Sequence, residues 1–162
     1  MIRFLLVAGL SAALGLSTAE AQGTSLAFGG IKQDTSAPVE VSADSLSVNQ
    51  SDGTALYSGN VVIGQGEMRL AAPQVLVVYS EGARRIDRLE ASGGVTLVSG
   101  DEAAEADRAD YDIDAGTIEM VGNVLLTQGG NALTSERMVV NLEDGTAQMS
   151  GRVRTVLQTG DQ

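Results

Sequence analysis

Apolar residues recur at every second position along most of the chain beyond residue 45. Leu46 and Val48 form one short set, Val75, Val77 and Tyr79 a second, Ala109, Tyr111 and Ile113 a third, and Met138, Val140 and Leu142 a fourth. Mostly polar residues stand between them, as in Ser45, Ser47 and Asn49 or Arg108, Asp110, Asp112 and Asp114. A period of two puts the two sets on opposite faces of an extended strand, one half-buried and one solvated. Longer runs hold the same phase through a glycine. Leu89, Ala91, Gly93, Val95 and Leu97 share a face, and so do Ile118, Met120, Gly122, Val124 and Leu126. Ser51-Asp52-Gly53, Asp114-Ala115-Gly116 and Glu143-Asp144-Gly145 separate short sets from long ones and carry the Asp-Gly chemistry of tight hairpin turns. The pattern predicts an all-β protein with about eight strands in one continuous antiparallel sheet.

The strands repeat. Gly59-Asn60-Val61, Gly93-Gly94-Val95, Gly122-Asn123-Val124 and Gly151-Arg152-Val153 share a glycine followed two residues later by valine. Fifteen residues before three of these glycines lie Asp44, Asp107 and Glu136; Pro73 takes the acid's place in the second unit, which carries five extra residues around Glu81 to Arg85. The spacing from Asp44 to Pro73 equals that from Asp107 to Glu136, 29 residues, so the chain reads as about four copies of a two-strand unit. A glycine inside a strand marks either close approach of a ligand or a bend. The bend is the reading adopted, and it folds the sheet into a V with an apolar inner face.

The N-terminus has a different pattern. Arg3 precedes an apolar run from Phe4 to Leu16, and Ala19-Glu20-Ala21 offers small residues at a cleavage site. These features predict a signal peptide, residues 1–21, cleaved after Ala21. The run is too short for a retained membrane anchor, which needs roughly 18 or more apolar residues. Residues 22–38 then read as a flexible tail, 39–157 as the β-domain and 158–162 as a polar C-terminal tail.

Composition narrows the chemistry. The 162-residue chain has no cysteine and no histidine, which removes Cys–His and Ser–His–Asp nucleophile systems. A net charge of −11 argues against a nucleic-acid partner, which needs cations to neutralise phosphates. Asp110, Asp112 and Asp114 have the spacing of a calcium loop's start, but Ala115 and Val121 occupy the places where that loop requires glycine and glutamate. Alternation instead puts the three aspartates on the solvated face, with a weak divalent-cation site as the other reading. A glycosidase-like carboxylate pair is disfavoured because acids fall on the inward phase only at the motif positions. Arg84, Arg85 and Arg88 form a basic cluster on the longest hairpin connection, read as a solvated loop, with contact to a phosphate or an acidic partner as the other reading. No catalytic residue and no cofactor are expected.

The ordered set Val39-Glu40-Val41-Ser42-Ala43-Asp44-Ser45-Leu46, then Tyr57-Ser58-Gly59-Asn60-Val61-Val62-Ile63-Gly64-Gln65-Gly66, then further Ala-Asp and Gly-Asn-Val repeats, resembles the OstA-like/LptA family. The resemblance covers roughly residues 39–157; in the fourth unit Gly151-Arg152 departs from Gly-Asn. It implies a V-shaped β-jellyroll in the periplasm, not an enzyme. Such a protein would bind the lipid A part of lipopolysaccharide and bridge an inner-membrane export complex and an outer-membrane translocon by stacking head to tail. The acidity of the chain fits affinity supplied by buried acyl chains rather than by phosphate recognition. On this reading the inward-phase residues Leu46, Val48, Val61, Ile63, Val75, Val77, Leu97, Tyr111, Ile113, Ile118, Met120, Val124, Leu126, Met138 and Val140 contact lipid. Two alternatives stay open, a membrane-anchored partner in the same export route and a ligand-free β-solenoid scaffold with a filled core.

Overall fold

The computed structural model describes Thr24–Ala27, residues 34–82 and residues 84–160. The expected signal peptide lies outside these residues. Eleven strands are described: β1 (Thr24–Ala27), β2 (Glu40–Ser42), β3 (Ser45–Asn49), β4 (Thr54–Gln65), β5 (Met68–Tyr79), β6 (Ile86–Ser99), β7 (Glu102–Asp112), β8 (Thr117–Gln128), β9 (Asn131–Asn141), β10 (Thr146–Ser150) and β11 (Arg154–Val156). They form one open sheet in the order β1-β10-β9-β8-β7-β6-β5-β4-β2, with β3 also on β4 and β11 also on β9, and each pairing is antiparallel. The expected all-β, open antiparallel class is the one observed.

Every pair of neighbouring long strands breaks register along one line across the sheet, and β5 and β6 shift a second time between Val78 and Tyr79. Gly59-Asn60 stands against Pro73, Pro73 against Gly93-Gly94, and these against Asp107; Asp107 faces Gly122-Asn123, which face Glu136. The result is one hinge line that divides the sheet into two arms. The first arm carries β3, the halves of β4 to β9 that include Tyr57, Val75, Leu89, Tyr111, Ile118 and Met138, then β10 and β1. The second carries β2, the other halves, with Ile63, Leu70, Leu97, Ala104, Leu126 and Leu133, and β11. The core fills the angle between them. Val61, Leu97, Ile118, Leu126, Met138 and Val140 on its inner faces are fully buried, while the outer faces carry the charges.

Two expectations need correction. The strands are longer than the short apolar sets suggested, because the acid-bearing strands slip phase at the hinge. In β7 the buried positions run Glu102, Ala104, Ala106 and then Ala109, Tyr111, a step of three at Asp107. The segment 22–38 is also not a free tail throughout. The backbone of Thr24–Ala27 pairs with β10, whose edge would otherwise leave a row of backbone donors and acceptors open. Of the extra residues of the second unit, Glu81, Gly82, Arg84 and Arg85 sit in the turn at the tip of the first arm, closed by the Ser80 amide on the Arg85 carbonyl at 3.0 Å, so the hinge register survives the insertion.

Candidate functional site

The hinge is built by local chemistry. Gly59 (φ 81°) and Asn60 (φ 46°), Gly122 (87°) and Asn123 (48°), and Gly151 (79°) and Arg152 (49°) all adopt the left-handed backbone that glycine tolerates and asparagine tolerates best among the rest. The acid fifteen residues earlier lies against each glycine. The Asn60 amide donates to Asp44 Oδ2 at 2.9 Å, and Asn123 donates to Asp107 Oδ2 at the same distance. The Asp44 and Glu136 backbone amides donate to the Gly59 and Gly151 carbonyls at 2.9 Å. A Cβ at Gly122 would stand 2.3 Å from Asp107 Oδ2, and one at Gly59 2.6 Å from Asp44 Oδ2, so the acid fills the space a side chain would need. In the second unit Pro73 takes that place, its Cγ 3.2 Å from a Cβ at Gly93. The repeated acid and glycine are therefore one bend, and no ligand is needed to explain either.

The bends bring the inner faces of the two arms together around an apolar interior. Each arm is about five residues deep on either side of the hinge, or roughly 17 Å at the rise of an extended strand. Of the fifteen inward-phase residues, Val61, Ile63, Val75, Val77, Leu97, Tyr111, Ile118, Met120, Val124, Leu126, Met138 and Val140 meet in this interior and are buried. Ile113 is half-buried at the tip of the first arm. Leu46 and Val48 are 54% and 61% exposed on the edge strand β3. There they line a recess of about 490 Å³ with Ala55, Tyr57 and Tyr79, within the range of about 300–1,000 Å³ typical of small-ligand pockets. Burial pushes the Tyr57 hydroxyl pKa up, with Tyr79, its hydrogen-bond neighbour, adding to the shift.

Polar groups at the arm tips escaped the sequence reading. Gln65 is 1% exposed on the second arm; its Oε1 accepts from the Tyr111 hydroxyl on the first arm at 2.6 Å. Burial raises the Tyr111 pKa, and this bond partly offsets the rise. Glu102 is 7% exposed on the inner face and accepts from Gln128 Nε2 at 2.6 Å, contrary to the expectation that acids fall inward only at the motif positions. The phase slip at Asp107 conceals that Glu102 shares a face with Ala104 and Ala106. Gln65 had a visible signal, since it continues the inward phase of Val61 and Ile63.

The aspartate triplet does not converge. Asp110 lies 3.9 Å from Arg108, Asp112 Oδ1 accepts from the Ala115 amide at 2.9 Å, and Asp114 holds Arg85 through contacts of 3.1 and 3.0 Å. Among the described residues no group of three acids, histidines or cysteines is placed to hold a metal ion. Of the basic cluster, Arg85 is thus paired with Asp114, Arg88 donates to Glu90 at 2.6 Å, and Arg84 is exposed on the tip turn. No helix of the described residues is long and apolar enough to cross a membrane.

This geometry has known counterparts. The crystal structure of LptH from Pseudomonas aeruginosa, described as the LptA-homologous periplasmic component of the conserved lipopolysaccharide transport device, superposes with a TM-score of 0.69. It covers 78% of this chain and 99% of that one at 19% identity, a likeness of fold. An uncharacterized protein of Rhizobium meliloti (strain 1021), R00383, is 32% identical over 123 residues, covering 72% of this chain and 66% of the relative's length, just under two thirds. The family described as LptA/(LptD N-terminal domain) LPS transport protein matches residues 40–146, from the first strand of the second arm to the start of β10. With more than half of the chain so matched, it belongs to the LptA/LptD N-terminal domain family of lipopolysaccharide transport proteins.

Proposed function

We propose that this protein works in lipopolysaccharide transport, sheltering the acyl chains of lipid A in the trough between its arms. The observation that carries the reading is the inner face, lined mostly by apolar side chains across every repeat, with buried polar residues limited to Gln65, Ser99, Glu102 and Ser135 among the described residues. An apolar trough on a chain of net charge −11 is suited to the fatty end of an anionic lipid, not to its phosphates. Burial of each CH₂ contributes about 0.8 kcal/mol, so a few partly covered chains bind firmly and remain exchangeable. Aliphatic and small side chains form the lining, and acyl chains enter as the arms part along the hinge, starting from the recess at Leu46 and Val48. On this reading the chain is exported, loses residues 1–21, and hands lipid between an inner-membrane export complex and an outer-membrane translocon. Stacking would use the exposed edges β2–β3 and β11, joining sheets by β-augmentation.

One observation favours the scaffold alternative: side chains such as Leu97 and Met138 pack the interior to complete burial. Photo-crosslinking separates the two. A crosslinking residue at Val77 or Met120 should capture lipopolysaccharide in cells, and one at the outward Asp112 should not. Capture at neither inward position, or equal capture at all three, would refute the lipid reading.

A further inference from the structure

We infer that residues 34–38 form a strap that closes the mouth of the trough, and that Gln65 is its clasp. The inference rests on the acyl-chain reading of the trough and concerns how that site is opened. The strap touches both arms. Gln65 Nε2, at the tip of the second arm, donates to the Ala37 carbonyl at 2.9 Å and the Thr35 carbonyl at 3.2 Å. Thr35 Cγ2 would lie 3.4 Å from a Cβ at Gly116, in the turn at the tip of the first arm. The same Gln65 accepts from Tyr111 of the first arm, so one buried amide joins strap, first arm and second arm. The strap has a set shape of its own: the Ser36 amide donates to Asp34 Oδ1 at 3.0 Å, the Ser36 hydroxyl donates to the same oxygen, and the Ala37 amide donates to the Asp34 carbonyl at 3.0 Å. It is anchored at its C-terminal end, since Val39 and Val41 pack on the core beyond it.

Chemistry explains why this closure is reversible. The clasp bonds are neutral, and two of them go to backbone carbonyls that water can satisfy once exposed. Losing two such bonds raises the open population by about tenfold or more. A lipid that enters only the open state binds with an apparent affinity equal to its intrinsic affinity multiplied by the open fraction. The strap therefore limits association and leaves release from the occupied trough unchanged.

The chain has no cysteine, so a reversible lock can be installed without background. The double variant Thr35→Cys with Gly116→Cys, oxidised, ties the strap to the first arm; reduction frees it in the same molecule. The probe is a dodecanoyl chain carrying an environment-sensitive fluorophore. Association should be at least about tenfold slower in the oxidised than in the reduced form. Gln65→Leu in the otherwise unaltered chain should speed association about tenfold and leave release unchanged. A nitroxide at the exposed Ser36 should become mobile in that variant. Equal association rates for oxidised and reduced protein would overturn the strap. So would a Gln65→Leu variant that changes only release, because an added apolar lining residue acts that way. Failure of the reduced protein and Gln65→Leu alike to take up the probe would overturn the acyl-chain reading itself. A nitroxide that becomes mobile while association is unchanged would overturn gating alone.

Discussion

Gly122→Ala tests the hinge at its most crowded point. The new methyl would stand 2.3 Å from Asp107 Oδ2 and 2.9 Å from its Cγ, on a backbone at φ +87°. The left-handed conformation alone costs an L-residue about 1–2 kcal/mol. Pushing the aspartate away also breaks the Asn123–Asp107 hydrogen bond, worth about 1–1.5 kcal/mol. The expected loss is about 3 kcal/mol, a large part of the roughly 5–15 kcal/mol that holds a domain of this size together. Gly94→Ala is the control. Its φ is +97°, yet nothing lies within 4 Å of the new methyl, so only the conformational cost of about 1–2 kcal/mol applies. Equilibrium urea unfolding reads both, and with a slope near 2 kcal/mol/M the two midpoints should differ by roughly 0.5–1 M. The double variant Gly122→Ala/Asp107→Ala should be less destabilised than the sum of its singles by about 1–2 kcal/mol, because removing the carboxylate relieves the clash. Equal losses at Gly122 and Gly94 with strict additivity at Asp107 would refute the acid–glycine account of the bend.

Arg152 holds φ +49° where the first and third units place asparagine, and its pairing with Glu136 at 3.4 Å is largely exposed. Arg152→Asn should therefore raise the thermal midpoint, by an amount matching at most about 1 kcal/mol. Asp110 has a pKa raised above its ordinary 3.8, chiefly by burial, with Glu90 and Glu119 adding and Arg108 and Arg88 opposing. Its ionised form is thus less favourable in the fold than in the unfolded chain, a cost present above the raised folded pKa and gone below 3.8. Asp110→Asn should stabilise slightly at pH 7, by less than about 1 kcal/mol given its exposure, and the gain should vanish in urea titrations near pH 3. Val156→Pro, on the exposed β11 edge, should abolish any concentration-dependent oligomers seen by sedimentation; oligomers that persist would place self-association elsewhere.

The repeats, the turns at Gly53, Gly116 and Gly145, and the bend at each motif glycine were legible because glycine and period two leave direct marks. The other half of each acid-bearing strand was not. In β5 the buried set Met68, Leu70 and Ala72 lies one residue out of phase with Val75 and Val77, because Pro73 sits alone opposite a pair of glycines. A search for strict alternation ends there. Most of the apolar interior followed from phase alone, whereas Leu46 and Val48 share that phase and remain exposed, since β3 is an edge strand with nothing packed beyond it. The inward phase marks Gln65 itself, but its hold on Thr35 and Ala37 lay beyond reach for another reason. A contact between residues 30 apart depends on where two arm tips meet, which no local pattern encodes.

The alignment of the hinge makes the molecule resemble an extruded profile. Each hairpin brings its own bend, and β7, β8 and β9 place the same five-residue spans on either side of it. Depth and angle are thus fixed within one repeat, whereas length is set by how many repeats follow one another. The five extra residues around Glu81 to Arg85 already show the rule, since they lengthen a rim and leave the hinge in line. A duplicated hairpin carrying an aspartate and, fifteen residues on, a Gly-Asn pair would give a longer channel of unchanged cross-section. Evolution thus adjusts the span of such a fold without altering its cross-section.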